Sequence, residues 1–402
     1  MIDSAMKKKG IWRDPEGLWP NAIAFIYAVP VHLLGLWLLV QPSPLLVIPG
    51  LLLRAHTMVI GAYLVHECGH MTLFRSKKIN ARVAEILLWF TGGAYASFER
   101  IQHMHMRHHR DRADVSCFDY QAFLHNGPGW LKRLVVALEW AYIPAVELLM
   151  HAQVMIRPFI DEQYHAERTR VILVLVTRLA LFYTMFQFSP WSLLAYALAY
   201  MLFLQALFLA DAFAHTYKAY FVDDPREPVP AEGRDRAYDV DHTYSNLIST
   251  RWPLLNLLNL NFGYHTAHHE RSGVPWYRLP ELHVELFGEQ HPQILPYREL
   301  LKTIHLNRTR RIFVHDYGDV GRGPGRADGF VGAHAISQVV LFNAHPTGKM
   351  NANERLNALT APGGIQVCGN AQNCVKVCPK EIPITQCLGQ IKRAVKQQEK
   401  DK

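Results

Sequence analysis

The sequence predicts an all-α integral membrane protein of four membrane-spanning helices with a small helical C-terminal tail. Three observations predict it. Half of the 402 residues are apolar, and they cluster in long runs that alternate with stretches dense in His, Arg and Asp. The connections that would lie outside one face carry no Lys or Arg, whereas those on the other face are strongly basic. Histidine is unusually abundant, 22 residues, and its ordered clusters fall where the apolar runs end.

The spans are read at Ala22–Val40, Leu45–Val65, Val171–Phe188 and Trp191–Ala210. Gln41–Pro44 and Ser189-Pro190 are short, uncharged links, while Arg75–Arg170 and the region after Tyr217 are basic. Positive charge marks the cytoplasmic side, so both termini are expected there. Lys7, Lys8 and Lys9 precede Trp12, Asp14 and Pro15 rather than an apolar run, which reads as an anchor and not a cleaved signal. Arg54 and Arg178 fall inside the spans and must lie near an interface or face the bundle interior. Val83–Ala96 suits an interfacial or re-entrant helix, and Trp130–Ile156 a helix lying on the membrane. The net charge of +8 sits beside apolar spans, which favours contact with anionic lipid and no nucleic-acid partner. The domains are expected at 1–337, the membrane part, and 338–402, a soluble tail after a Gly-rich connection near Gly321–Gly325. Six cysteines, four of them between Cys368 and Cys387, do not make a secreted disulfide framework.

Three histidine boxes carry the chemistry. His66-Glu67-Cys68-Gly69-His70 spaces two imidazoles four apart at the end of the second span. His105-Met106-Arg107-His108-His109 and His265-Thr266-Ala267-His268-His269 both read H-x-x-H-H. On a helix these spacings share a face, so each box is expected to aim its histidines at one point. His215 follows Asp211 by four residues at the end of the fourth span, giving nine candidate ligands: His66, His70, His105, His108, His109, His215, His265, His268 and His269. With the N-terminus inside, all nine land on one membrane face. Nine imidazoles exceed the needs of one ion and suit two, with four or five nitrogens each. Iron is preferred because zinc has no redox chemistry to lend. Asp211, His103 and His242 are read as neighbours of the ligands. Glu99, Asp111, Asp114, Asp239, Asp241 and Glu270 are read either as partners of the far imidazole nitrogens or as partners of nearby arginines. His32, His56, His151 and His165 are expected to be packed or interfacial. A competing reading takes His66-Glu67-x-x-His70 as a zinc metallopeptidase helix with Glu67 as general base, which leaves both H-x-x-H-H boxes unexplained.

These boxes resemble those of the membrane fatty acid desaturase family over roughly residues 10–337. The resemblance implies a cytoplasmic helical cap over the spans and two irons with dioxygen as co-substrate. It also implies a lipid acyl substrate in the bilayer and a separate electron donor such as a ferredoxin, with no catalytic group apart from the metal ligands. His-Glu-Cys-Gly-His resembles the acyl-lipid enzymes acting toward the methyl end. The family pattern after the fourth span is Asn-x-x-x-His, with the Asn on a metal-bound water, and Asp211 stands in the Asn position here. The stretch from Tyr317 to His334 resembles the end of bacterial desaturases, which implies a bacterial cytoplasmic membrane with the active site on the cytoplasmic side. Hydroxylases and carotenoid ketolases share near-identical boxes and remain the alternative activity. The tail resembles the C-terminal part of the succinate dehydrogenase or fumarate reductase iron–sulfur subunit, through Leu341–Gly348 and Cys368, Cys374 and Cys378-Pro379. The upstream cysteine run of that family is missing, so these three are an incomplete ligand set and no complete cluster is expected. The tail reads as a fusion remnant in preference to an in-cis electron donor.

Overall fold

The computed structural model describes residues 10–313, apart from 213, 225, 231–232, 289–292 and 296, together with 332–360, 364–365 and 384–400. It is 73% helical and almost free of strands. The chain divides into two compact units, Met1–Gly318 and Asp319–Lys402.

In the first unit four helices are long and apolar enough to cross a membrane: Pro15–Leu39, Pro44–Gly69, Glu162–Phe188 and Trp191–Asp211. The protein is therefore an all-α, multi-pass membrane protein. Each helix extends beyond the stretch read from hydropathy. Pro15 and Pro44 open the first two, where a missing N–H costs nothing. Pro30 sits in a π-helical turn, Tyr27–Val31, which absorbs the lost hydrogen bond without ending the first helix. The second span runs straight through the first box to Gly69, so His66 projects from the span and His70 caps it. The first and second spans meet at glycines. A Cβ on Gly35 would sit 3.0 Å from the Arg54 backbone nitrogen, and one on Gly50 would sit 2.6 Å from Leu38 Cβ.

Both arginines within the spans face the bundle. Arg54 is 1% exposed, bonds His32 Nε2 at 2.9 Å and lies over the Tyr196 ring at 4.3 Å. Arg178 donates to Tyr196 OH at 3.2 Å and to the Trp89 carbonyl. That carbonyl belongs to the last turn of the Lys77–Thr91 helix, which packs along the second span and touches His32 with Phe90 at 5.0 Å. Ser76 caps its start, accepting from Ile79 N at 3.4 Å, and Gly92 ends it at φ +84. Arg170 Nε bonds the next loop carbonyl, Ala94 O, at 2.7 Å. The segment forms a helix, Lys77–Thr91, shorter at its C-terminal end than the apolar stretch. Its buried carbonyl end needs donors and favours positive charge, which Arg178 and Arg170 supply.

Trp130–Ile156 does not form the single helix expected. Two helices, Gly129–Trp140 and Ala145–Ile160, are broken by Tyr142 at φ +63 and by Pro144. They keep Trp130, Leu134, Trp140 and Ile160 exposed, as an interfacial pair would. Arg311 holds them from inside, pairing with Glu139 at 2.8 Å and Glu147 at 2.6 Å.

In the second unit, helices Gly332–Ala344, Ala352–Thr360 and Ile384–Lys400 share a core of Ile336, Leu356, Leu359, Ile365, Ile384, Leu388, Ile391 and Val395. Cys368, Cys374 and Cys378 lie outside the described residues, as does the glycine-rich connection.

Candidate metal centre

Short backbone links bring four separated segments to one place. Gln102 Nε2 donates to Gly69 O at 2.7 Å, tying the end of the second span to the Phe98–Asp111 helix that carries the second box. Ser97 caps that helix, accepting from Arg100 N at 3.2 Å. Beyond it, Asp114–Ser116 pairs in parallel with Ala219–Phe221, so the segment after the fourth span runs beside the second box. His215 forms a bridge with Thr243, and Asn246 Nδ2 holds Ala212 O at 2.7 Å. The short His265–Glu270 helix, whose histidines are buried, completes the set.

All nine candidate histidines converge, in two groups. His66, His70, His105, His109 and His268 form one; His108, His215, His265 and His269 form the other. Within each group the nitrogens lie within 4.8 Å of one another. This corrects the expectation that each H-x-x-H-H box aims at one point. The i, i+4 pair of each box, His105 with His109 and His265 with His269, enters one group, and the middle histidine crosses to the other. On a helix, i+4 lies about 40° from i on one side and i+3 about 60° from i on the other, so the middle ring leaves the shared face at a different angle and reaches the neighbouring group.

The Nε2 atoms face inward. His70, His105, His109 and His268 are linked through Nε2 at 2.8, 3.2 and 3.2 Å. His108, His215 and His265 are linked likewise at 3.1 and 2.8 Å. Adjacent imidazole nitrogens each bound about 2.1 Å from one ion sit about 3 Å apart, so these spacings fit a shared metal. Among the described residues, buried Nε2 of His66 and of His269 have no hydrogen-bond partner, and neither have the outer Nδ1 atoms of His265 and His268. An orphaned buried Nε2 inside each cluster of imidazoles fits a cation far better than an apo core. Six of the rings are also kept neutral, as ligation requires. Burial, reinforced by the neighbouring imidazoles, pushes His70, His105, His109, His265, His268 and His269 well below the ordinary value. His108 differs. Burial opposes its charge, but the Asp114 carboxylate and other acceptors outweigh it and raise the value.

Outward nitrogens are held by the surroundings. His108 Nδ1 meets Ala113 O at 3.1 Å and Asp114 at 3.4 Å. His269 Nδ1 meets Tyr217 OH at 3.2 Å and Asp239 at 3.4 Å. His215 Nδ1 meets Thr243 Oγ1 at 3.3 Å, and His66 Nδ1 lies 3.5 Å from Glu67. Tyr217 and Thr243 were not singled out in the sequence. The signal was there: Asp239 and Thr243 are four residues apart, and Tyr217 is two beyond His215.

Among the acids, Asp114 and Asp239 reach imidazoles, whereas Asp111 pairs with Arg107 and Arg110, and Glu270 with Arg236. Glu67, 3% exposed, faces the outer nitrogen of His66 with its Oε1 and not the space between the ligand groups. Its Oε2 accepts from Thr72 Oγ1 at 2.6 Å and from Trp276 N at 3.1 Å. His103 is exposed and makes no hydrogen bond among the described residues. His242 bonds Tyr238 O at 2.8 Å and stacks on the Tyr238 ring, away from the ligand groups. His32 and His56 are packed partners, as expected, His56 bonding Tyr27 OH at 2.6 Å.

A cavity of about 840 Å³ opens beside both groups, reached by His66, His105, His108, His215 and His265. Ala62, Tyr63, Leu204, Leu207, Phe208 and Phe262 make its apolar wall, and Asp211 stands on it. A second cavity of about 320 Å³ shares Met104, Val115, Phe118, Met150 and His151 with the first. The two cavities are therefore neighbours, and both are largely apolar.

A family model described as fatty acid desaturase matches residues 42–301. A short stretch is 56% identical over 64 residues to the succinate dehydrogenase iron-sulfur subunit of Bacillus subtilis (strain 168), covering 16% of this chain and 25% of that relative. The chain thus spans a quarter of that relative's length. No solved structure matches.

Proposed function

Because the chain belongs to the fatty acid desaturase family, we propose that it is a dioxygen-dependent, di-iron acyl desaturase that introduces a carbon–carbon double bond into a lipid acyl chain. The observation that carries this reading is the division of nine histidines into groups of five and four beside an apolar cavity. His66, His70, His105, His109 and His268 would hold one iron, and His108, His215, His265 and His269 the other. Iron held there supplies the dioxygen-dependent removal of hydrogen from an unactivated methylene. The protein's own part is to position and to exclude. Burial favours the neutral form of His70, His105, His109, His265, His268 and His269. The outer nitrogens of His108, His215 and His269 are fixed by Asp114, Asp239, Tyr217 and Thr243, which sets the aim of those rings. Leu204, Leu207, Phe208 and Phe262 hold an acyl chain against the inward nitrogens and keep bulk water from it. Asp211 places a carboxylate on the cavity wall where the family pattern has an amide; it accepts hydrogen bonds there but, ionised, donates none.

In this reading the metal site and both termini lie on the cytoplasmic side of a bacterial membrane, and the basic stretches outside the spans support that orientation. A separate one-electron carrier such as a ferredoxin supplies the electrons. Of Arg100, Arg107 and Arg110, which the sequence offers as a basic docking surface for that carrier, Arg107 is 1% exposed and bonds Asp111 and the Glu227 carbonyl, which speaks against it. The membrane unit, Met1–Gly318, carries the reaction, and the tail carries no complete iron–sulfur cluster.

The test is expression in a host without such enzymes, followed by mass spectrometry of fatty acid methyl esters. New unsaturated species are expected. Hydroxylated or ketonic lipids instead would reassign the reaction to the alternative chemistry, and an unchanged lipid profile from iron-loaded protein would count against both.

A further inference from the structure

On the side of the second histidine group away from the cavity, a column of nearly parallel rings leads outward. Tyr217 lies on His215 with ring centroids 4.3 Å apart and planes 17° from parallel. Tyr238 follows at 6.0 Å and 12°, and His242 covers Tyr238 at 3.9 Å and 19°. Tyr217 is buried, whereas Tyr238 and His242 are half-buried at the protein surface. The column is fixed at both ends. Tyr217 OH is hydrogen-bonded to Asp239, Thr243 and His269. Tyr238 and His242 are an i, i+4 pair on the Arg236–His242 helix, locked by the bond from His242 Nδ1 to Tyr238 O. None of the three residues lines the cavity.

We propose that this ring column is the path by which a one-electron carrier protein, seated at Tyr238 and His242, reduces the metal pair. The inference rests on the di-iron reading above. The ligands are enclosed, with His265, His268 and His269 buried, and the open side of the site is taken by the acyl chain. Electrons must therefore cross protein, and coupling through closely spaced π systems decays less than through gaps or saturated side chains. Each transfer oxidises one carrier molecule and reduces one ferric ion to ferrous. Two transfers reduce the pair, with no bond made or broken in the rings.

The experiment uses full-length, iron-loaded protein in nanodiscs without lipid substrate, mixed anaerobically with a reduced plant-type [2Fe–2S] ferredoxin. Loss of the diferric absorbance is followed by stopped flow, with dithionite reduction and iron content as controls. Wild type and Tyr238→Phe, which keeps the ring, should show a fast phase. Tyr238→Leu should lose that phase while keeping its iron and its reduction by dithionite. His242→Leu, at the outer end, should behave likewise and serves if the first variant folds poorly. An iron-loaded leucine variant reduced by ferredoxin at the wild-type rate overturns the path alone. Wild-type protein that binds no iron overturns the metal reading and the path with it.

Discussion

In the proposed centre each histidine would work through two nitrogens, one facing the metal and one facing the protein. Where the outer partner is a side chain it can be removed without touching the ligand. Asp239→Asn and Thr243→Val should each weaken iron retention against a chelator by about ten- to a hundredfold, as read by iron analysis after dialysis; unchanged retention would mean that these contacts do not orient the rings. Glu67 belongs to another class. It joins Thr72 and the Trp276 backbone to the end of the second span, so Glu67→Gln should keep its iron and lower the melting temperature. Loss of a peptidase activity in that variant would revive the zinc reading. The nine converging histidines were legible in the sequence because box spacing and span ends are local properties. Their partition was not. Which way the middle histidine of a box turns depends on how two helices face each other, and no single-helix periodicity carries that. The exposed position of His103 and the outward place of His242 were hidden for the same reason.

At the level of elements, the spans show what hydropathy can and cannot find. Apolar runs locate the four helices, but their ends are set by hydrogen bonding and capping, so Pro15 and Gly69 lie outside the runs and still belong to the helices. The two in-span arginines looked like anomalies in the sequence. Arg178 proves to be the donor for a buried helix end, a role that only becomes visible once Lys77–Thr91 is packed beside the spans. Arg178→Leu should therefore destabilise the fold, and Arg178→Lys, which retains a donor and a charge, should recover part of the loss in a thermal unfolding assay. Equal stability of the leucine variant would mean that the Trp89 carbonyl finds another donor. Gly92 makes a second test of the same corner. Its φ is +84, and a Cβ would meet the Tyr200 ring at 2.8 Å. Gly92→Val should cost about 1–3 kcal/mol, with Gly61→Ala, at 3.0 Å from a Thr91 methyl, costing less.

On the scale of the whole molecule, the chain joins two histories: a desaturase-family membrane unit and a tail with a short likeness to an iron–sulfur subunit. The tail's own core is a closed set of aliphatic residues from three helices, and three cysteines are too few for the clusters of that family. Protein shortened to end at Gly318 should retain iron and lipid product, and full-length protein should show no iron–sulfur absorbance; a cluster signal lost on Cys374→Ser would assign the tail an electron-carrying role. The central claim remains the metal pair held by five and four imidazoles. Metal analysis with Mössbauer spectroscopy of the purified protein tests it most directly. The account predicts two irons per chain in nitrogen-rich, magnetically coupled sites, and a single zinc or a single mononuclear iron would contradict it.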